Sequence, residues 1–221
     1  MAINIAIDGP SAAGKSTIAN ILSQRLNYVH LDTGAMYRCV ALAAKERGIQ
    51  YDDEPALDAM MNDISIRLSS DGRVFLDGKD VSAEIRTDEM SMGASSVSKL
   101  QAVRTRLVAM QQKMASAKGF IMDGRDIGTV VLKDAAVKIF MTASIEARAK
   151  RRYLDNKQRG LDADLHKLEQ EIAQRDYQDT HRAISPLTKA PDAIEIDTSD
   201  MSIEQVVDSI MEIVNQRSKE H

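Results

Sequence analysis

Tryptophan is absent from this chain of 221 residues, and cysteine occurs once, as Cys39. A single thiol excludes an internal disulfide and suits a reducing compartment. Cys39 lies among Val40, Leu42 and Ala43, so it reads as a buried structural thiol rather than a nucleophile. The four histidines are scattered, and no pair has metal-ligand spacing, which argues against a structural zinc site. Excess positive charge is missing too. With 29 basic against 33 acidic residues the net charge is −4, so there is no cationic field of the kind that holds DNA or RNA. No stretch approaches the ~18 uninterrupted apolar residues of a membrane span. No charged region followed by an apolar run and a small-residue cleavage site marks a secretory signal. Repeats and low-complexity linkers are lacking, and no self-association signal stands out. The expectation is a cytoplasmic protein, monomeric by default, that binds neither nucleic acid nor membrane. Its length allows one domain with a real core, with room for an insertion.

The richest segment is Gly9, Pro10, Ser11, Ala12, Ala13, Gly14, Lys15, Ser16 and Thr17. It fits G-x-x-x-x-G-K-[ST], a phosphate-cradling loop. Ile3 to Ile7 before it is apolar enough for a buried strand, and Ile18, Ile21, Leu22 and Leu26 after it recur at helical spacing. Such a loop turns successive backbone N–H groups toward phosphate, and the helix N-terminus adds its own attraction for an anion. The motif predicts that Lys15 reaches the β- and γ-phosphates of a nucleoside triphosphate and that the Ser16 hydroxyl ligates Mg²⁺.

Further along, the pattern predicts a strand at Tyr28 to Leu31 and a helix from Ala35 to Arg47 stopped by Gly48. From Pro55 to Ser95 the texture changes. Ile64 to Leu68 alternates apolar and polar, turns at Ser70-Asp-Gly72, resumes at Val74 to Leu76 and turns again at Asp77-Gly78. That is the signature of antiparallel hairpins, and it predicts an inserted subdomain. A long helix is predicted from Ser98 to Lys118, striped by Leu100, Val103, Leu107, Met110 and Met114. Strands follow at Gly119 to Met122, Val137 to Met141 and Ala193 to Ile196. Helices follow from a cap at Ser144 or Thr142 to about Lys157, from Leu165 to His181, and from Ser202 onward. Strands alternating with helices imply an α/β fold with a parallel sheet and crossovers.

Three segments follow the phosphate loop: Asp32-Thr-Gly-Ala-Met-Tyr-Arg38, Asp123-Gly-Arg-Asp-Ile-Gly128, and Arg175-Asp176 through Arg182. In this order the set resembles the bacterial cytidylate kinases, P-loop nucleoside monophosphate kinases, over essentially the whole chain. The resemblance implies transfer of the γ-phosphoryl group of ATP to CMP or dCMP with Mg²⁺. It also implies a P-loop NTPase-type five-stranded parallel sheet flanked by helices, an inserted antiparallel-β CMP-binding subdomain and a short lid. On that reading one domain spans 1–221, with its core at about 1–54, 97–150 and 170–221, the insertion at 55–96 and the lid at 151–166.

Such chemistry needs two sets of cations, one for the acceptor phosphate and one that closes over the donor. Arg38, Arg125 and Arg182 resemble the acceptor clamps, since a guanidinium fork matches phosphate oxygens. Asp123 resembles a Walker-B carboxylate, and the sequence leaves open whether it orients a Mg²⁺ water or the acceptor clamp. The resemblance implies Thr33 and Tyr37 in the CMP site, Ser95 (beside Ser96), Arg104 and Asp126 on the cytosine, and Arg175 and Asp179 on the ribose. A carboxylate accepts from the exocyclic amino group, while uracil would leave buried groups unpaired at about 1–3 kcal/mol each. The donor set is Arg148, Arg151 and Arg152 on one helix, with Arg159 in the loop after it. Rival readings fit less well. No aspartate is followed three residues on by glycine, and Asn156-Lys157 continues with Gln158-Arg159, so a GTPase switch lacks its signatures. Direct in-line transfer, without a covalent intermediate or a general base, is expected.

Overall fold

The structure, a computed structural model, describes residues 2–69, 71–158, 160 and 162–218. In chain order the elements are β1 (Ile5–Asp8), α1 (Lys15–Leu26), β2 (Val29–Asp32), α2 (Thr33–Glu46), α3 (Glu54–Met60), β3 (Ile66–Leu68), β4 (Val74–Leu76) and β5 (Lys79–Asp80). Then come α4 (Asp88–Val97), α5 (Gln101–Ala115), β6 (Phe120–Gly124), β7 (Val137–Thr142), α6 (Ile145–Gln158), α7 (Leu165–His181), β8 (Ile194–Asp197) and α8 (Ile203–Arg217). The chain divides into two compact units, Met1–Tyr28 with Lys118–His221, and Val29–Ala117.

The first unit is built on β1. Its residues Ile5, Ala6 and Ile7 are fully buried, as a strand covered on both faces requires. β1 pairs in parallel with β6 (Ile5 opposite Ile121, Asp8 opposite Gly124) and with β7 (Ile5 opposite Val137, Asp8 opposite Phe140). β7 pairs in parallel with β8. β2 is the fifth strand of this parallel sheet. Ile18 and Leu22 of α1 and Val206, Val207, Ile210 and Val214 of α8 pack with Ile5, Ile7, Ile121 and Ile139 in one apolar cluster. A smaller cluster joins α6 to α7 through Ala149, Leu168 and Ile172, and Ala12 of the phosphate loop packs against it. The registers bring the carboxyl ends of β1, β6 and β7 to one level, the edge at which open α/β sheets gather ligands.

In the second unit, Asp32 caps α2 by accepting from the Ala35 N–H at 3.0 Å. The helix closes at Gly48, whose φ of +67° suits glycine, while the Ile49 N–H bonds back to the Ala44 carbonyl at 2.9 Å. β3, β4 and β5 form the antiparallel sheet. Asp77 (φ +50°) and Gly78 (φ +82°) supply the paired left-handed residues of a tight hairpin. Ser70, in the first predicted turn, lies outside the described residues.

Several predicted elements are corrected. The stretch from 55 to 95 is not all hairpin: α3 and α4 overlap its two ends, each capped by a side chain, Asp53 on Ala56 and Thr87 on Met90. α4 was hidden by its small residues. Gly93 packs so closely that an added Cβ would lie 2.9 Å from the Ala41 Cβ. The predicted 98–118 helix is one shorter helix, α5 (Gln101–Ala115). Leu100 is extended (φ −88°, ψ 128°), the Ser98 hydroxyl turns back to the Ser95 carbonyl, and α5 starts with the Ala102 N–H held by Glu54. On α5, Val103 and Leu107 are buried as predicted, but the stripe continues with Gln111 rather than Met110 or Met114. Of the two candidate caps for α6, Ser144 serves, accepting from the Ala147 N–H at 3.1 Å, while Thr142 ends β7. α7 and α8 follow their predicted spans. Ser202 and Gln205 form a reciprocal capping box on α8.

Candidate phosphoryl-transfer site

Glycine is obligatory at the exit of β1. A Cβ on Gly9 would lie 2.1 Å from the Met141 carbonyl oxygen. Gly14 (φ +89°) and Ala12 (φ +58°) then bend the loop through left-handed backbone. Gly14 is the N-cap of α1 and gives it no side-chain cap, so the orphan amides of the first turn are available to an anion. Lys15 is buried, with its Nζ donating to the Pro10 carbonyl at 2.6 Å. Burial, and then the nearby Arg125 guanidinium, pull its pKa down to about 7, against the upward pull of Asp123, Asp179 and Asp8. The Ser16 hydroxyl donates to Asp123 Oδ2 at 2.7 Å, while Thr17 faces outward. Hydroxyl and carboxylate oxygens are hard donors. With phosphate oxygens and water they are the set that Mg²⁺ takes.

The carboxyl end of β6 carries the next group. Asp123 is buried at the strand end, and Arg125 follows it. Arg125 donates from Nε to Asp179 Oδ2 at 2.8 Å. Burial alone would raise the Asp179 carboxyl; the charge and hydrogen bond of Arg125, with Arg175 and Arg182, outweigh it and hold the pKa below the usual range. Arg182, at the end of α7, stands 4.0 Å from Asp126 Oδ1 and donates to the Ser185 carbonyl at 2.6 Å. Asp126 opens a turn of π-helix, Ile127–Val131.

The basic residues of α6 part company. Arg148 is buried and forked onto Asp176 (Nη1 to Oδ1 3.0 Å, Nη2 to Oδ2 2.6 Å), and it also donates to the Ser11 and Ala143 carbonyls. Arg151 holds the hydroxyl and carbonyl of Thr198 at the end of β8. Arg152 is half-buried, and Arg159 lies outside the described residues.

In the second unit, Arg38 donates to Asp32 Oδ2 at 2.7 Å, and Thr33 and Tyr37 are buried on the same helix. Arg104 is buried, its guanidinium 5.8 Å from the Tyr37 ring centroid and donating to the Ser98 carbonyl at 3.3 Å. Ser95 is half-buried on α4. Cys39 is buried, and burial pushes its thiol up to about 12, as suits an inert core residue.

Two residues escaped the sequence reading. Asp8 accepts from the Ile127 and Gly128 N–H groups, both at 2.7 Å. Burial lifts its pKa to about 6 despite those bonds, with Asp126 adding to the rise. An acid ending an otherwise apolar strand was the available signal. Asp176 stands in the Arg175 to Arg182 segment, but nothing local assigns it a role, because its partner Arg148 lies on another helix.

A glycine loop feeding a helix, a lysine within it, a serine–carboxylate pair beside it and arginines at the sheet's carboxyl edge define a P-loop phosphotransferase. Solved structures agree at the level of fold. An uncharacterized protein from Eubacterium ventriosum aligns with TM-score 0.55 at 15% identity, over 98% of this chain and 99% of that one. Shikimate kinase from Bacteroides thetaiotaomicron aligns with TM-score 0.52 at 12% identity, over 97% and 99%. The family model described as cytidylate kinase matches residues 5–216. Curated relatives named cytidylate kinase include one from Geobacillus sp., 51% identical over 97% of each chain, and one from Bacillus pumilus, 49% identical over 99% of this chain and 98% of the relative. The chain belongs to the cytidylate kinase family.

Proposed function

We propose that this protein transfers the γ-phosphoryl group of ATP to CMP or dCMP, giving ADP and CDP or dCDP, by direct in-line displacement. The observation that carries this reading is the pair of cations Lys15 and Arg125. They stand close enough that Arg125 weakens proton binding at Lys15. Two neighbouring cations repel each other, and anions brought to them relieve that repulsion. The phosphates of a donor and an acceptor are such anions, and charge spread over the transferred group is what the cations stabilise.

Backbone N–H groups of the loop from Ser11 to Thr17 cradle the donor phosphates, with Gly9 and Pro10 shaping its entry, and Lys15 follows the γ-phosphoryl group as it moves. Ser16 and Asp123 would hold Mg²⁺, which when bound supplies charge neutralisation on the donor oxygens. Arg125 and Arg182, with Arg38 of the second unit, clamp the acceptor phosphate. Asp179 and Arg175 meet the ribose. Asp126 accepts from the cytosine amino group; from the second unit, Arg104 and Ser95 are the proposed donors to its ring acceptors, and Thr33 and Tyr37 are proposed CMP contacts. Arg152, with Arg151, closes over the donor from a lid at 151–166 and excludes water. Its bonds to Asp176 and Ser11 make Arg148 a brace of the loop in this account. The acceptor phosphate is already anionic, so no general base is needed. Among the described residues no helix is long and apolar enough to cross a membrane. We place the enzyme in the cytoplasm as a monomer that does not use nucleic acid.

A coupled assay with ATP and each of CMP, dCMP, UMP and AMP tests this reading. CMP and dCMP are expected to turn over fastest; a preference for AMP or for no nucleotide refutes it. Asp126→Asn swaps an acceptor for a donor-bearing amide. The ratio of kcat/KM for CMP to that for UMP is expected to fall by about tenfold or more. An unchanged ratio removes Asp126 from base recognition.

A further inference from the structure

Helix α7 carries two acids one turn apart, and each holds an arginine from a different part of the first unit. Asp179 binds Arg125 at 2.8 Å, at the carboxyl end of β6. Asp176 binds Arg148 through both guanidinium nitrogens, at 3.0 and 2.6 Å. Arg148 in turn donates to the Ser11 carbonyl at 3.1 Å, inside the phosphate loop, and to the Ala143 carbonyl at 2.9 Å, just beyond β7. The loop meets the same helices a second way, since Ala12 packs against the Ala149, Leu168 and Ile172 cluster between α6 and α7.

This geometry points to Asp176 as a positioning residue that couples the donor loop to the acceptor clamp through α7. The inference rests on the reading above for which nucleotide meets Ser11 and which meets Arg125. Arg148 is committed to one carboxylate and two carbonyls, so its guanidinium acts as a brace. The Arg148 side chain is 4% exposed and that of Asp176 23%, so their fork is largely shielded from water and from salt screening. Bidentate geometry fixes orientation as well as distance. A donor that orders the Ser11 backbone thereby orders Arg148, Asp176 and the helix that presents Asp179 to Arg125. The acceptor then meets a clamp whose ordering cost has already been met, and binds more tightly. Linkage requires the reverse effect to be equal.

Calorimetric titration of CMP, without and with a saturating non-hydrolysable ATP analogue, reads this coupling. Wild-type protein is expected to bind CMP at least ~5-fold more tightly with the analogue present. In Asp176→Asn that factor is expected to fall to about 1–2, while CMP affinity measured alone moves by less than about twofold. Asp176→Glu, which keeps the charge, is expected to recover part of the factor. If Asp176→Asn does not fold, Arg148→Lys gives the same reading, because a point charge cannot make the fork. A wild type without coupling overturns the proposal. So does a folded Asp176→Asn that loses thermal stability and keeps the full factor, since that identifies a purely structural pair. Failure of the underlying functional reading looks different: wild-type protein then binds no CMP with or without the analogue.

Discussion

Lys15→Met is expected to destroy turnover and stabilise the empty protein at the same time. Loss of one charge-stabilising donor typically costs roughly 10²–10³-fold in kcat. The stability gain follows from burial. Lys15 titrates near 7 in the fold against 10.5 in the unfolded chain. Between those values the unfolded chain binds a proton that the folded one does not, so this residue makes stability rise with pH from about 7 to 10.5. Below that window its penalty is present in full. Methionine has similar length and no charge, so the penalty disappears, less the contribution of the bond to the Pro10 carbonyl. Each kcal/mol recovered raises Tm by about 2–4 °C in a chain of this size. Thermal melts near pH 7 without nucleotide check this. A variant that is inactive and less stable than wild type contradicts the burial argument. Added ATP should reverse the ranking, because phosphates restore the charge on Lys15 and only the wild type benefits.

Arg125→Met is expected to lower kcat/KM for CMP by about 10³-fold, or ~4 kcal/mol of transition-state stabilisation. It should also change how stability depends on pH. In the wild type, Arg125 leads the groups that hold the buried Asp179 carboxyl below its usual range. That contribution is present above the unfolded aspartate value of about 3.9 and is lost as pH falls through the lower folded value. Without Arg125 the two largest contributions opposing burial are gone, only Arg175 and Arg182 remain against it, and the carboxyl is expected to move upward. Stability then falls as pH rises above about 4, where the unfolded chain ionises more readily than the folded one. The Tm deficit against wild type is expected to be larger at pH 7 than at pH 5. A deficit independent of pH would mean that Arg125 and Asp179 are not coupled.

The phosphate loop was legible because its function dictates its covalent details. Gly9 must be glycine to pass the Met141 carbonyl, and Gly14 must adopt a left-handed φ at an uncapped helix start. The Asp123, Arg125 and Asp126 group was legible because three charges end an apolar strand, where burial demands partners. The antiparallel sheet showed in its alternation and in Asp77-Gly78. Helix α4 was not legible, since Gly93 and Ala94 bury little area and leave a weak stripe. The break before α5 depends on Glu54, more than forty residues earlier in the chain, capping the Ala102 N–H. The same holds for Arg148. Its spacing from Arg151 and Arg152 suggested one basic cluster, but tertiary partners send it to Asp176 and Arg151 to Thr198. Local patterns report local geometry, and side-chain destinations across elements are set by packing.

One phosphoryl group is expected to pass straight from donor to acceptor between cations, with no group on the protein carrying it. ATP made chiral at its γ-phosphorus, with CMP as acceptor, tests this in a single stereochemical analysis of the CDP formed. One in-line displacement predicts inverted configuration at phosphorus. Retention would mean two displacements through a phosphorylated side chain, and the account given for Lys15, Arg125 and Asp123 would be wrong.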